Sequence, residues 1–385
     1  MSQFLTGNQI ILLRNGAEYF PALEEAIDEA QYEIYLQTYI FEQDDTGLRI
    51  GNALKRAAAR GVLVCVLLDG YGCKDLATSY VQELQSAGVE VMIYRPKISP
   101  WTLKRSRLQR MHRKMTVVDG RIGFVGGINI IDDFNTSEQM PPRVDYAVKA
   151  EGPLLPSMRA SMRLLWRTIC RVHLRKLRSS KLANDFVQKM TANMQAAFLL
   201  RDNLWHRNEI EEAYLSAIKA AKSEVLIANA YFLPGLKFRH ALRDAAARGV
   251  RVTLLLQGRV EYLLLDFASH ALYSSLLSHG IRIYEYHKGF MHSKVAVIDD
   301  EWAIVGSSNI DPFSLLLSRE ANIVVKDIGF TRELRADLQK TIDAGASIIT
   351  LDDWERHHYL KRFISWLIYG LVRLMMGVIG YSDNP

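Results

Sequence analysis

The chain repeats itself. Ala57-Ala-Ala-Arg-Gly-Val62 recurs as Ala245-Ala-Ala-Arg-Gly-Val250, and Glu33 to Phe41 matches Glu224 to Phe232. Ala87-Gly-Val-Glu-Val91 matches His279-Gly-Ile-Arg-Ile283, and His112-x-Lys114 matches His292-x-Lys294. Four matches in one order rule out chance and common helix composition, so the fold itself is duplicated. The first half carries about twelve more residues ahead of its His motif, around Ile98 to Arg110.

Within each half, helical and strand patterns alternate. Ala17 to Ala30 and Asn208 to Ala221 have helical periodicity. Glu33 to Phe41 and Val62 to Asp69 are apolar runs rich in β-branched and aromatic residues, which read as buried strands. Leu48 to Arg60 between them reads as a helix stopped by Gly61. Such alternation predicts an α/β fold of two similar lobes, each a mostly parallel sheet flanked by helices. The expected boundaries are a first lobe over 1–155, an inter-lobe segment over 156–190, a second lobe over 191–350 and a tail over 351–385.

The chemistry lies in the doubled motif. The first copy runs His112-Arg-Lys114, Asp119, Gly126-Gly127-Ile-Asn129; the second runs His292-Ser-Lys294, Asp299, Gly306-Ser307-Ser308-Asn309, at identical spacing. Apolar residues follow each Lys, so each copy starts a strand, and residues two apart on a strand share a face. An imidazole can attack phosphorus or move a proton near neutral pH. A neighbouring Lys ammonium and an Asn amide can hold phosphate oxygens, and Gly127 and Ser307 let the backbone approach the substrate. Two such His can divide the roles of nucleophile and acid/base. Asp145 and Glu320 each begin a later apolar run, 33 and 28 residues after the His of their own half, and are candidates to orient the imidazoles. Asp119 and Asp299 stand at strand ends and read as structural. No set of ligands stands at metal spacing and no cofactor is expected.

At these residues the chain resembles the phospholipase D superfamily, whose signature is a duplicated His-Lys-Asp motif, over roughly residues 8 to 345. Further segments, Leu67 to Gly72, Arg110 to Lys114, Phe124 to Asn129, Ile227 to Phe232 and Val305 to Pro312, are most similar to short-type bacterial cardiolipin synthases. The resemblance implies one site between two pseudo-twofold lobes, with His112 as nucleophile and His292 as acid/base. Lys114, Lys294, Asn129 and Asn309 would grip phosphate, and Asp119 and Asp299 belong to the family motif. It implies transfer of a phosphatidyl group between two phosphatidylglycerols to give cardiolipin and glycerol, with phosphatidylethanolamine as a second possible donor. Hydrolysis of phosphodiesters at the same site, by a phospholipase D or a nuclease, is the alternative.

Charge adds a lipid expectation. The net charge is +6, yet Val91–Val118 and Pro156–Lys181 each hold eight Lys and Arg and no acid. In the second window Arg159, Arg163, Arg167, Arg171 and Arg175 recur every four residues among Met158, Met162 and Trp166. This basic amphipathic helix either lies on anionic lipid or packs on the lobes with its arginines in water. Its Trp and Met content points to lipid rather than nucleic acid. The insertion with Pro100, Trp101, Lys104 and Arg105 reads equally as a lid meeting headgroups or a plain loop. Phe363 to Tyr381 is apolar apart from Arg373, an interfacial helix or a completion of the core. Three cysteines without a CxxC pair argue against a disulfide framework, and Met1 to Arg14 does not read as a secretory signal. The expectation is a peripheral protein on the cytoplasmic face of a bacterial inner membrane.

Overall fold

A computed structural model describes residues 3–96, 109–136, 140–178, 180, 190, 192–202, 206–259, 263–312, 314, 317–356 and 359–378. The first lobe runs β1 (Leu5–Arg14), α1 (Asn15–Asp28), β2 (Glu33–Thr38), α2 (Asp45–Ala59), β3 (Leu63–Asp69), α3 (Thr78–Ser86), β4 (Glu90–Tyr94), β5 (Met115–Val118), β6 (Ile122–Gly126), β7 (Arg143–Val144) and β8 (Tyr146–Glu151). Helix α4 (Leu155–Val172) follows. The second lobe runs β9 (Met194–Arg201), α5 (Glu209–Ala220), β10 (Glu224–Asn229), α6 (Leu236–Ala247), β11 (Arg251–Gln257), α7 (Leu263–His270), α8 (Tyr273–Leu277), β12 (Arg282–Tyr286), β13 (Phe290–Met291), β14 (Lys294–Ile298), β15 (Trp302–Gly306) and β16 (Glu320–Lys326). Helix α9 (Ile328–Gly345), β17 (Ala346–Ile349), α10 (Leu351–Arg356) and α11 (Tyr359–Val378) complete it.

Fifteen strands form one sheet in the order β17-β12-β11-β10-β14-β15-β16-β9-β1-β8-β6-β5-β2-β3-β4. Apart from the edge strand β17, the order is symmetric about the antiparallel pair β1–β9, which joins the lobes. Within this sheet parallel pairing is confined to β2–β3–β4 and β10–β11–β12. The sheet is therefore mixed, where helix–strand alternation predicts a largely parallel one. The reason is local: β5–β6 and β14–β15 are hairpins, and a tight turn can only join antiparallel strands. Each hairpin turns through a motif Asp in the left-handed region, Asp119 at φ 51° and Asp299 at φ 50°, a conformation that Asp tolerates better than most residues.

Side-chain alternation gives the sheet one core common to both lobes on one face and a separate core for each lobe on the other. Cys65 and Leu67 of β3 face a core common to both lobes, while Val64, Val66 and Leu68 face one belonging to the first lobe alone. Helix α4 covers the common core with Met158, Met162 and Trp166, all buried. The lipid reading of its Trp and Met is thus corrected: that face is occupied by the sheet. Arg159 is also buried and pairs with Glu33 at 2.5 Å, leaving Arg167, Arg171 and Arg175 exposed and Arg163 half-buried. Helix α11 differs. It lies against α7 with Ser365 and Val372 buried, while Trp366 (71%), Leu367, Leu371 and Leu374 (66%) are exposed beside Leu263 and Leu264 of α7. Among the described residues no helix is long and apolar enough to cross a membrane. The insertion around Trp101, read equally as a lid or a plain loop, lies outside the described residues.

Candidate active site

Both His stand just before the first residues of a hairpin, His112 ahead of β5 and His292 ahead of β14. Each is held by backbone bonds to the other lobe: His112 N–H donates to the Arg319 carbonyl at 3.0 Å, and His292 N–H to the Val144 carbonyl at 2.8 Å. The two-stranded pair β7–β13 and the bridge Met111–Arg319 are the same cross-lobe contact made twice.

The carboxylates follow the backbone across. His112 Nδ1 lies 3.0 Å from Glu320 Oε1, and His292 Nδ1 lies 2.7 Å from Asp145 Oδ2. A carboxylate can only accept here, so each imidazole carries its proton on Nδ1 and presents the Nε2 lone pair. Counting residues from each His matched every carboxylate to its own half; the structure exchanges them. The exchange follows from the parallel strips, which lay the start of each lobe's last strand beside the other lobe's His.

The copies differ behind the carboxylates. Ser307 Oγ donates to Glu320 Oε2 at 2.5 Å. At the matching place Gly127 has no side chain, and a Cβ there would lie 2.1 Å from Asp145 Oδ1. Lys114 Nζ donates to the His112 carbonyl at 2.8 Å, Lys294 Nζ donates to that of His292, and Lys294 lies 3.7 Å from Asp145. Both lysines are buried. Asn129 is buried and its Oδ1 accepts from Ile40 N–H at 3.0 Å, tying down the loop after β2; Asn309 is likewise buried, 3.5 Å from Ser314 Oγ.

Asp119 and Asp299 stand away from this cluster. Asp119 accepts the backbone N–H groups of Gln31, Tyr32 and Glu33, each at 2.8 Å. Asp299 accepts those of Lys222, Ser223 and Glu224. They staple each hairpin to the start of the strand beside it.

Burial dominates the electrostatics. It pulls His112 below its ordinary range, with Glu320 pulling back and Lys114 adding to the fall. Burial holds His292 well below its ordinary range, helped by Lys294 and Lys114. Lys114 is pushed down to about 7 by burial, despite Glu320. Asp145 is pushed up to about 6 by burial, against the pull of Lys294. Both imidazoles are therefore neutral at neutral pH, as a nucleophile or base must be.

Several neighbours carry no sequence signal of their own. The Tyr39 ring meets His112 edge-on at 4.8 Å and underlies Lys114 at 5.2 Å. Asp69 Oδ2 accepts from Met111 N–H at 2.8 Å, and Gln257 Oε1 accepts from Met291 N–H at 3.2 Å. These two end β3 and β11 and fix the residue before each His. Their equivalent places in the repeat are the signal that could have found them. Arg143 lies over Phe290 at 4.9 Å, and Phe290 stacks on His292.

Two lobes that exchange carboxylates across a doubled His-x-Lys pair define a phospholipase D-like protein. The chain belongs to the family described as cardiolipin synthase, PLD-like domain, whose profile matches residues 23–138 and 214–342. It is 41% identical over 349 residues to cardiolipin synthase B of Escherichia coli K12, covering 88% of this chain and 81% of that protein. Cardiolipin synthase 1 of Bacillus anthracis is 31% identical over 333 residues, 85% of this chain and 65% of that one. The fold also matches the crystal structure of phosphatidylserine synthase from Haemophilus influenzae Rd KW20, with a TM-score of 0.67 at 14% identity over 98% of this chain and 95% of that one.

Proposed function

We propose that the protein is a phosphatidyltransferase that makes cardiolipin from two phosphatidylglycerols through a phosphohistidine. The crosswise His–carboxylate pairs are the observation that carries this reading. A phosphodiester between the two imidazoles meets the free Nε2 of His112, which forms an N–P bond as the bond from phosphorus to the glycerol oxygen breaks. The substrate's negative charge draws a proton onto His292, which passes it to the leaving glycerol. A second phosphatidylglycerol hydroxyl then gives its proton to His292 and attacks phosphorus, and the N–P bond breaks. Lys114 and Lys294 stabilise charge on the phosphoryl oxygens inside a site shielded from water, where their effect is large. The names of the relatives support the choice of lipid.

The protein works on this reading as a peripheral enzyme on the cytoplasmic face of a bacterial inner membrane. The exposed Trp366, Leu367, Leu371 and Leu374 of α11 support membrane contact. The test is incubation with labelled phosphatidylglycerol vesicles and rapid quenching. The expected results are equal amounts of cardiolipin and glycerol, and a labelled protein adduct absent from His112→Ala. Phosphatidic acid as the main product would make the enzyme a hydrolase, and an adduct persisting in His112→Ala would overturn the nucleophile. Phosphatidylethanolamine vesicles that release ethanolamine would extend the donor range.

A further inference from the structure

Cardiolipin synthesis brings two phosphodiesters into one site, and the pairs described above hold only the one that reacts. Arg110 stands two residues before His112 on an extended strip: Arg319 N–H donates to the Arg110 carbonyl at 2.7 Å, and His112 N–H returns to the Arg319 carbonyl. Residues two apart on such a strip share a face and lie roughly 7 Å apart.

The Arg110 guanidinium lies over the Tyr71 ring at 5.1 Å. Among the described residues its Nη1 is buried without a hydrogen-bond partner, and no carboxylate lies within ion-pair distance of it, although the charge of Asp69 reaches it. The nearby Asp69 is already engaged, accepting from the backbone N–H groups of Tyr71, Gly72 and Met111. Residues 97–108 just upstream contain Lys97, Lys104, Arg105 and Arg107 and no acid, so that segment brings no counter-ion. The matching position of the second motif is Phe290, whose ring carries the guanidinium of Arg143 at 4.9 Å, so a cation belonging to the strip itself stands on the His112 side and not on the His292 side.

We propose that Arg110 is the subsite for the second phosphate, holding the acceptor lipid while the reacting phosphate lies between His112 and His292. This rests on the phosphatidyl-transfer reading above. A three-carbon bridge keeps the two phosphates close together, so a cation two residues from His112 on the same face is placed to meet the second one. A guanidinium stacked on an aromatic ring and short of one acceptor suits a phosphodiester.

The test offers two acceptors at once. Labelled phosphatidylglycerol vesicles are supplied with a fixed concentration of ethanol, which accepts a phosphatidyl group but brings no phosphate. Arg110→Gln is expected to lower the ratio of cardiolipin to phosphatidylethanol about tenfold or more, as loss of a charge-assisted contact implies. Arg110→Lys, which keeps the charge, is expected to lower it less and carries the test if Arg110→Gln does not fold. An unchanged ratio in both variants, or parallel loss of both products, overturns the assignment. Wild-type protein that makes phosphatidylethanol but no cardiolipin would instead overturn the choice of a lipid acceptor.

Discussion

Replacing Glu320 by Gln isolates what a carboxylate from one lobe does for the His of the other. Glu320 is fully buried, with its oxygens 3.0 and 3.2 Å from His112 Nδ1 and Ser307 on the far side. Glutamine keeps the volume and can keep the Ser307 contact, but it removes the charge. In the proposed mechanism the His112 ring gains positive charge beside the carboxylate as it bonds to phosphorus. At an effective dielectric of about 20, opposite charges about 4 Å apart attract by about 4 kcal/mol. The lost stabilisation corresponds to about a thousandfold in rate. Glutamine can also turn its amide NH2 toward Nδ1, which would favour the wrong tautomer and deepen the loss. Burst formation of the labelled adduct, followed by rapid quench, reads this step directly. Thermal melting in parallel reports whether the buried site has collapsed. A variant with unchanged melting and less than about tenfold loss of burst rate would refute the orienting role.

Gly127→Ala places a Cβ 2.1 Å from Asp145 Oδ1 and must push that carboxylate off His292; kcat is expected to fall roughly a hundredfold. Because Lys114 is held at about 7 in the free enzyme, kcat/KM should fall as pH rises through that value and the ammonium is lost. A pH profile flat to pH 9 would contradict it. Burial alone would raise Asp299, but the backbone N–H groups of Glu224, Lys222 and Ser223 hold it below the ordinary carboxylate range. Its contribution is thus present above the unfolded value and lost as pH falls through the lower folded one. Asp299→Ala should cost about 2 kcal/mol at pH 7 and less in acid, by calorimetry. Trp366→Ser with Leu374→Ser, at 71% and 66% exposure, should leave melting unchanged. The pair should also lower binding to anionic vesicles by about tenfold or more in a sedimentation assay.

Much of the site was legible because the repeat holds its residues at fixed offsets. His112 and Lys114 are two apart at the start of a strand, so period-2 alternation already relates them, and the same holds for His292 and Lys294. Asp119 and Asp299 read as structural from their place at strand ends; the backbone N–H groups they accept, at Gln31–Glu33 and Lys222–Glu224, carry no mark in the sequence. The Arg-rich helix α4 was harder. Its amphipathic pattern fits an apolar face on lipid or on protein, and only packing distinguishes them: Trp166 lies in the common core.

By itself the sequence determined that there are two lobes, that each carries a His-x-Lys strand, and which carboxylates were candidates to serve them. Repetition and strand periodicity are local properties, written in neighbouring residues. Only the tertiary structure decided that Glu320 lies beside His112 across 208 positions and Asp145 beside His292 across 147. Spacing along a chain carries no distance through space. The antiparallel β1–β9 pair turns the lobes to face each other, and the cross-lobe strips at Met111–Arg319 and β7–β13 then set each carboxylate beside the opposite imidazole.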